Sequence, residues 1–483
     1  MTDSPGLPNG RPVAWDDRVQ LWGTGSVVLG GAPWAVLRIA PPGQAFVRRL
    51  RAAGAAGLVP SPGVEKSLAD LLVHRGVAHP VAGPGLAHEV EVVVPVHEQP
   101  ELLEACLRSL RAASPGLRIV VVDDASTSRA VGDVALACGA TLVRHARNRG
   151  PAAARNTGLR EVTAPIVAFV DADCAVRPGW LEILTAHFDD PRVAAVAPRV
   201  RPHSGRGSAG VLDRYQDARS VLDMGARPEL VTHGAPLGFL PSAALLVRRS
   251  CLSDDPFVER MRVGEDVDLV WRLIDAGHLV RYEPAAVVSH EVRPQPLRWA
   301  GRIFDYGTSA AELDRRHPGR LVPARLSFWN VAAAALTLAR RPSPIAGAGA
   351  AVGTLGLAVA LLARTLRAAS VDPRVAPVIV GKGLVSDASA AGHLLRREWW
   401  PIGWLALATA RRSWPARAAA AAMLVPPVRD WLATRPHLDL PRYLALRLAE
   451  DAAYGSGVIV SAIRSRHPGV LLPLVRLPRQ GKR

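Results

Sequence analysis

The stretch Pro165-Ile-Val-Ala-Phe-Val-Asp-Ala-Asp173 decides the fold. Its unbroken apolar run, rich in β-branched and aromatic residues, predicts a strand that is buried on both faces of a sheet. Three similar runs come earlier in the chain: Glu91-Val-Val-Val-Pro95, Arg118-Ile-Val-Val-Val122 and Thr141-Leu-Val143. Helical spacing follows the first of them, over Glu101–Ala113. Strands that alternate with helices predict an α/β domain on a mostly parallel, Rossmann-like sheet.

Candidate ligand-binding residues stand at the carboxyl ends of these strands, where α/β sheets bind ligands: Pro95-Val-His-Glu98, Asp123-Asp124-Ala-Ser126 and Asp171-Ala-Asp173. Asp171 and Asp173 place two hard oxygen ligands on one short turn. A divalent cation that bridges phosphates is held in this way, with its remaining ligands supplied by substrate. Alternatively, Asp124 and Asp171 only shape the turns at the strand ends.

A dinucleotide-binding enzyme is disfavoured by the turn after the first strand, which reads Pro-Val-His-Glu-Gln-Pro and has no glycine. Pyrophosphate needs a glycine-rich turn to approach the following helix, and the sequence has no GxxxxGK[ST] loop either. If a nucleotide binds here, a metal ion held by carboxylates is the natural alternative for holding its diphosphate.

A third acidic group lies in Gly264-Glu-Asp-Val-Asp268, just before an amphipathic segment. One alternative is a helix start, where acidic side chains favour the helix dipole. That alternative explains one carboxylate but not three acids within four positions. We expect Asp266 near the cation site, where a carboxylate can act as general base on an acceptor hydroxyl.

Together, five motifs resemble glycosyltransferase family 2, which has the GT-A fold: Val92–Leu110, Ile119–Ser126, Asn148–Leu159, Val167–Glu182 and Gly264–Pro284. The resemblance covers about 200 residues, in the same order. It implies an inverting enzyme that transfers a sugar from a nucleotide diphosphate, usually UDP, with the help of Mg²⁺ or Mn²⁺.

The same resemblance implies a nucleotide-sugar site made of Pro95, Val96, Glu98, Asp123, Asp124, Arg155, Asn156, Asp171 and Ala172. The three residues after the first strand would cradle the uridine, and the acidic pair after the second would contact the base or ribose. The Arg-Asn pair would belong to the segment that closes over the nucleotide.

For the chemistry, the resemblance implies Asp173 as the direct metal ligand and His290 beside the metal or diphosphate. A single histidine at a strand end is, as an alternative, structural. Asp266 would be the catalytic base, with Glu265 beside it on the acceptor side. The cation would then neutralise the departing diphosphate on the opposite face of the sugar.

The QxxRW signature of processive family members, such as cellulose and chitin synthases, is matched here by Gln295, Arg298 and Trp299. There the tryptophan stacks on the terminal sugar, because aromatic faces suit the C–H groups of sugar rings. Alternatively, this segment is only a basic and aromatic lead into the C-terminal helices.

Residues 291–483 carry 28 basic and 11 acidic side chains, and this difference equals the whole net charge of +17. Arginine supplies 56 of the 59 basic residues, a bias that by itself implies no nucleic-acid partner. The uncharged stretch Pro342–Ala363 has 22 residues, enough to cross a hydrocarbon core as a helix. Two shorter ones, Leu326–Ala339 and Trp399–Ala410, suit the membrane interface. We therefore predict a basic, helical, membrane-associated region over 311–483, with a soluble alanine-rich helical domain as the alternative.

The first 88 residues predict a hairpin around Gly23-Thr-Gly25 and about three helices, including stretches around Gln44–Ala53 and Val64–Arg75. This content suits a small winged-helix-like module, followed by the GT-A domain over 89–310. The module either recognises a peptide or acts as a buttress. The first residues lack the apolar core of a secretory signal, and the four cysteines are widely spaced. We expect the catalytic domain on the cytoplasmic side of the cell membrane.

This arrangement is similar to that of glycosyltransferases of the mycofactocin system. That resemblance implies a UDP-sugar donor and transfer of glucose to a hydroxyl of a peptide-derived redox cofactor, as a short β-linked chain. Two alternatives remain open: a glycosyltransferase for lipid-linked or cell-envelope polysaccharide, and a non-catalytic sugar-nucleotide-binding or scaffold protein.

Overall fold

The computed structural model describes residues 6–83, 85–203, 210–291, 295–339 and 343–477. The chain forms two compact units, the first made of Met1–Ser208 and Arg219–Val292, the second of Ala209–Ala218 and Arg293–Arg483. The N-terminal residues and the α/β domain thus share one unit. The domain boundary that the sequence predicts after residue 310 stays a prediction.

The N-terminal module contains five strands and two helices: β1 (Val13–Trp15), β2 (Gln20–Trp22), β3 (Val27–Gly30), β4 (Ala35–Arg38), α1 (Pro41–Ala53), α2 (Val64–His74) and β5 (Ala78–Pro80). Strands β2, β3 and β4 form an antiparallel sheet, and β1 pairs with β5. The predicted hairpin and both predicted helices are confirmed. About three helices were expected, and over residues 6–83 the structure has these two α-helices and a short 3₁₀ turn, Gly54–Ala56.

Salt bridges join this module to the α/β domain. Arg18 Nη1 lies 2.5 Å from Glu229 Oε1, and Arg192 Nη2 lies 3.0 Å from Asp70 Oδ1. Glu229 is buried, while 35% of the Arg18 side chain is exposed, so the first pair is only partly shielded from water.

The α/β domain follows in chain order, with α7 counted in the second unit: β6 (Val90–Val96), α3 (Pro100–Ala113), β7 (Arg118–Asp123), α4 (Ala130–Ala137), β8 (Thr141–Arg144), α5 (Pro151–Arg160), β9 (Ile166–Val170), β10 (Cys174–Val176), α6 (Trp180–Thr185), β11 (Val193–His203), α7 (Val211–Ala218), β12 (Glu229–Val231), β13 (Ala244–Arg248), α8 (Glu265–Asp275) and β14 (Leu279–Glu291). The four strands predicted from apolar runs are β6, β7, β8 and β9. They lie side by side and parallel, which confirms the α/β class.

The sheet continues beyond these four strands in the order β10-β14-β11-β13-β9-β6-β7-β8, with β12 also paired to β14. Strand β13 is antiparallel to both of its neighbours, β9 and β11. Strand β14 runs parallel to β11 and antiparallel to β10 and β12. The sequence did not predict this half of the sheet, and it proves to hold His290 and the strand that precedes α8.

The second unit adds two short strands to a set of helices: α9 (Pro296–Thr308), α10 (Ala310–Arg316), β15 (Arg325–Ser327), α11 (Phe328–Ala339), α12 (Pro344–Ala368), α13 (Ala376–Arg396), α14 (Trp400–Thr409), α15 (Trp414–Thr434), α16 (Leu440–Arg464) and β16 (Leu474–Arg476). The helical character predicted for 311–483 is confirmed. A buried ion pair, Arg396 to Asp451 at 2.9 Å, joins α13 to α16.

Helix α12 is the one helix in the described parts of the chain that is long and apolar enough to cross a membrane. Within its 24-residue segment Ile345–Ala368, the most apolar 18-residue window has a mean hydropathy of 2.0, and only 17% of that window is buried. Pro342, where the predicted uncharged stretch begins, lies outside the described residues. Length and composition alone do not place this helix in a bilayer, so membrane association stays a prediction.

Candidate active site

The turn after β9 carries the two aspartates predicted as metal and diphosphate ligands. Asp171 N donates to Ala243 O at 2.9 Å, and Cys174 N donates to Asp171 O at 3.0 Å. These bonds close a tight turn in which Ala172 is buried. The chain then enters β10, whose Cys174 lies opposite His290 of β14.

This pairing brings His290 beside Asp173, as the resemblance implied. The imidazole Nε2 lies 3.3 Å from Asp173 Oδ2, and the two side chains are 20% and 17% exposed. A carboxylate and an imidazole that face each other at the surface are suitable ligands for a divalent ion such as Mn²⁺.

In the described ranges no group of three or more histidine, cysteine or acidic side chains could hold a metal ion. Asp173 and His290 are the predicted protein ligands, and water and a diphosphate would supply the others. This donor set fits Mg²⁺ or Mn²⁺, which bind through few protein carboxylates together with substrate phosphates.

Arg155, in the middle of α5, joins this turn to the start of α8. Its Nη2 donates to Asp171 Oδ1 at 2.6 Å, and its Nη1 donates to Glu265 Oε1 at 2.8 Å. The guanidinium is almost completely buried, with 4% of the side chain exposed. One side chain thus connects carboxylates from two distant parts of the sequence.

Burial and charge act against each other in this cluster. Burial alone would lower the pKa of Arg155, but the carboxylates of Asp171 and Glu265 outweigh it and raise that pKa. Burial, together with the neighbouring Asp266, raises the pKa of Glu265 to about 7. Burial also raises the pKa of Asp171, although Arg155 opposes the shift. The single positive charge of Arg155 therefore does not fully neutralise the negative charge of the acidic side chains around it.

Asp266, the predicted base, is held in place by two backbone N–H groups. Ser242 N donates to its Oδ2 at 3.1 Å and Val267 N to its Oδ1 at 2.8 Å. Ser242 adjoins Ala243, which accepts the bond from Asp171, so the base and the metal turn share one short segment.

The start of α8 explains part of the acidic cluster. The cap position belongs to Gly264, whose φ of 86° is accessible to glycine at little cost. Glu265, Asp266 and Asp268 therefore lie in the first turn, where acids favour the helix dipole. Asp268 is fully buried and accepts from Arg272 Nε at 2.9 Å, a structural role.

Both carboxylate oxygens of Asp124 bond to neighbouring groups of the protein. Its Oδ1 contacts His145 Nδ1 at 2.7 Å and accepts from Arg149 N at 2.9 Å, and its Oδ2 accepts from Gly150 N at 2.7 Å. This geometry agrees with the alternative in which Asp124 shapes the loop at the strand end. That loop leads directly into α5.

Asp123 keeps one oxygen without a hydrogen bond. Its Oδ1 accepts from Ser126 N at 2.8 Å and Ser126 Oγ at 2.6 Å. Its buried Oδ2 accepts no hydrogen bond and lies 3.5 Å from Arg144 Nε. Because the Asp123 side chain is fully buried, its contact with the base or ribose stays a prediction.

The segment after β6 is pinned to the loop after β7. Pro95 and Val96 are buried at the strand end, and Val96 O accepts from Asp124 N at 2.8 Å. Glu98 has a positive φ of 59°, and its Oε1 accepts from Thr127 N at 2.8 Å. That bond lowers the pKa of Glu98. The segment is therefore in place at the sheet edge, while its contact with uridine stays a prediction.

Asn156 does not present its amide to a ligand. The side chain is fully buried, its Nδ2 donates to Phe257 O at 2.8 Å, and its Oδ1 accepts from Phe257 N at 3.0 Å. Both ends of the amide are thus used to hold the loop that precedes α8.

Gln295, Arg298 and Trp299 belong to the second unit. Gln295 and Arg298 are exposed at the start of α9, and Trp299 is half-buried. The Trp299 ring packs edge-on against Tyr215 with centroids 6.0 Å apart, in a cluster that includes Tyr443. Sugar stacking by this tryptophan stays a prediction.

Sequence reasoning missed several residues that shape the site, among them Ser242, His145 and Phe257. Ser242 and Phe257 act through backbone atoms, which no residue type marks in a sequence. His145 follows strand β8 directly, so the strand-end rule that found the aspartates could have found it as well.

Comparisons with known proteins identify the family of the chain. The profile of glycosyl transferase family 2 matches residues 91–242. The pre-mycofactocin glycosyltransferases of two Mycobacterium tuberculosis strains, CDC 1551 / Oshkosh and ATCC 25618 / H37Rv, are 37% identical over 487 residues. Each alignment covers 97% of this chain and 99% of the relative.

More distant relatives match a smaller part of the chain. The succinoglycan biosynthesis protein ExoU of Rhizobium meliloti (strain 1021) is 25% identical over 225 residues, which is 45% of this chain and 66% of that protein. Among solved structures, the mannosyltransferase PcManGT from Pyrobaculum calidifontis, in complex with GDP-Man and Mn²⁺, is 19% identical. The match covers 80% of this chain and 90% of the mannosyltransferase chain, with a TM-score of 0.43. This score is too low to support an argument about the site.

The relatives that match along almost the whole chain are enzymes by name, which removes the scaffold alternative. The expected GT-A type of α/β domain is confirmed with them. Because of the family profile and the 37% sequence identity, the chain belongs to glycosyl transferase family 2, as a glycosyltransferase of the mycofactocin-system type.

Proposed function

We propose that the protein transfers glucose from UDP-glucose, with inversion, to a hydroxyl of pre-mycofactocin and extends a short β-linked oligosaccharide there. The 37% identity to pre-mycofactocin glycosyltransferases over 97% of the chain supports this acceptor. In this proposal residues 1–88 form the peptide-recognition-like module, 89–310 the catalytic domain and 311–483 the membrane-associated region.

The observation that carries the proposal is the convergence of acidic groups from two distant segments. One buried guanidinium binds Asp171 at the end of β9 and Glu265 at the start of α8. Asp266, the next residue, is bonded to the segment that also holds the metal turn. A donor diphosphate and an acceptor hydroxyl therefore have their partners at one edge of the sheet.

Asp266 acts as the general base in this proposal. Each of its oxygens accepts one backbone N–H and keeps further acceptor capacity, because an ionised carboxylate has about four lone-pair sites. The acceptor oxygen bonds to the anomeric carbon as its proton passes to Asp266. The bond from that carbon to the diphosphate oxygen breaks on the opposite face, which inverts the configuration.

Asp173 and His290 would hold Mg²⁺ or Mn²⁺, which when bound neutralises charge on the departing diphosphate. Asp171 is turned toward Arg155 and helps to fix the turn that carries Asp173.

A second candidate is transfer to a lipid-linked or cell-envelope acceptor. The exposed apolar helix α12 favours it, because a membrane-associated enzyme is well placed to meet a lipid carrier. Membrane association with the catalytic domain on the cytoplasmic side is part of both candidates.

The test is turnover of UDP-glucose by the full-length protein, with and without Mn²⁺. Pre-mycofactocin and a polyprenyl phosphate would be supplied as separate acceptors. We expect UDP release and a glucosylated product with pre-mycofactocin, and little turnover after removal of the metal with a chelator. Transfer only to the polyprenyl phosphate would favour the second candidate, and transfer to neither acceptor from any UDP-hexose would refute both.

A further inference from the structure

We infer that Arg155 and Asn156 are positioning residues that hold the base-bearing helix α8 against the metal turn, and that they do not bind the nucleotide. The inference rests on the proposed function, because it assigns these residues to the geometry of the proposed base. It differs from the role that family resemblance implies for the pair.

Asn156 fixes the loop before α8. Its amide makes a reciprocal pair of hydrogen bonds with the backbone of Phe257 and is fully buried, so substrate cannot reach it. The Phe257 ring packs edge-on against Phe169 of β9 at 5.0 Å. This loop is therefore anchored to both α5 and the central sheet.

Arg155 fixes the helix itself. Its guanidinium lies 5.5 Å above the Phe257 ring and spans from Asp171 to Glu265. A planar guanidinium offers donors in a rigid fork, so it can bond two carboxylates at a set separation. A lysine ammonium is a single point of charge and cannot reproduce that spacing.

Both side chains are buried in the protein, with Asn156 fully covered and 4% of Arg155 exposed, so neither faces a diphosphate. The two terminal nitrogens of Arg155 are used on the protein's own acids, and its Nε is buried without a hydrogen-bond partner. Adjacent residues on α5 thus hold the loop at 257 and the helix start at 265. Together they set the distance between Asp266 and the turn that carries Asp173.

Such a role makes a kinetic prediction. A misplacement of about 1 Å between reacting groups can lower the rate by about 10²-fold. Arg155→Lys should therefore lower kcat by about 10- to 10²-fold and leave the KM for UDP-glucose within about threefold, since the contacts to the donor remain. Asn156→Ala should have the same pattern, because its side chain cannot touch substrate.

Arg160→Lys is the matched control. Arg160 lies on the same helix and pairs with Asp255, but both side chains are about half exposed. An exposed pair of this kind contributes little, so the control should keep wild-type kcat, KM and melting temperature. The double variant Arg155→Lys/Asn156→Ala should lose less than the product of the single losses, because both residues act on one helix.

Hydrogen exchange measured by mass spectrometry tests the inference without relying on turnover. With UDP and Mn²⁺ bound, Arg155→Lys and Asn156→Ala should exchange faster than wild type over residues 257–268, while Arg160→Lys should not. Affinity for UDP with Mn²⁺, measured by calorimetry, should stay within about threefold in all three variants, which also shows that they are folded.

The outcomes separate the inference from the proposed function. Unchanged exchange over 257–268, or weaker UDP binding with kcat unaltered, would overturn the positioning role. Faster exchange with intact UDP binding would support it even if the wild-type enzyme used neither acceptor, a result that would refute the proposed function alone.

Discussion

At the scale of single residues, Asp266 is oriented by Ser242 N and Val267 N and adjoins the bridge made by Arg155. Asp266→Asn keeps the shape of the side chain but removes its ability to take a proton. We expect kcat to fall by about 10²-fold or more, with binding of UDP unchanged.

Asp275→Asn is the control for that prediction. Asp275 is the last residue of the same helix, and 39% of its side chain is exposed beside His233. Turnover by Asp266→Asn at the rate of the control would rule out the base role.

A separate prediction concerns the contribution of Asp173 and His290 to the affinity for the metal ion. Asp173→Asn and His290→Gln should each weaken Mn²⁺ binding in the presence of UDP by at least about tenfold, because each removes one of the two proposed protein ligands. Titration of Mn²⁺ followed by electron paramagnetic resonance measures this. If His290→Gln lowers the melting temperature but leaves Mn²⁺ affinity unchanged, the histidine is structural.

At the scale of elements, α5 can hold the site only because it lies very close to the sheet. A Cβ on Gly158 would lie 2.3 Å from Val93 Cγ1 and 3.1 Å from Val122 Cγ2, on strands β6 and β7. Both valines are fully buried and β-branched, so neither can move aside easily. Gly158→Ala should reduce the free energy of unfolding by about 1–3 kcal/mol, measured by urea denaturation.

Gly116→Ala provides the control for this close approach. A Cβ on Gly116 would have no heavy atom within 4 Å, and the residue has no positive φ. Its stability should change by less than about 1 kcal/mol, and equal losses for the two variants would contradict the packing argument.

At the scale of the whole molecule, the basic charge and the exposed apolar helix both lie in the second unit. Val352 and Leu357 of α12 are 71% and 51% exposed. Each arginine near the centre of a membrane helix costs about 2.5–3.5 kcal/mol. Val352→Arg/Leu357→Arg should therefore shift the protein from the vesicle-bound to the free fraction in flotation with phosphatidylglycerol-containing vesicles.

Leu136→Arg is the control for the membrane experiment, since Leu136 is a 63% exposed leucine on α4 of the first unit. Its variant should bind vesicles like wild type. If wild type itself stays in the free fraction, the soluble alanine-rich alternative for the C-terminal helices is correct.

Sequence-based prediction and structure agree best where burial produces a recognisable local sequence pattern. Strands β6, β7 and β9 are buried on both faces, so each is an apolar run, and the polar residues after them stand out. The antiparallel half of the sheet was harder to predict, since β10 and β12 have only three residues each.

The sequence by itself determined the α/β domain, the aspartates at the strand ends, the acidic start of α8 and the helical, basic C-terminal region. Only the tertiary structure decided how those groups are used. It showed that Arg155 joins Asp171 to Glu265, that Asn156 bonds to the backbone of Phe257, and that Asp124 accepts a hydrogen bond from Gly150 N. The physical reason is that strand and helix patterns arise from neighbours along the chain. A buried side chain's hydrogen bonds depend instead on which distant segments folding brings to it.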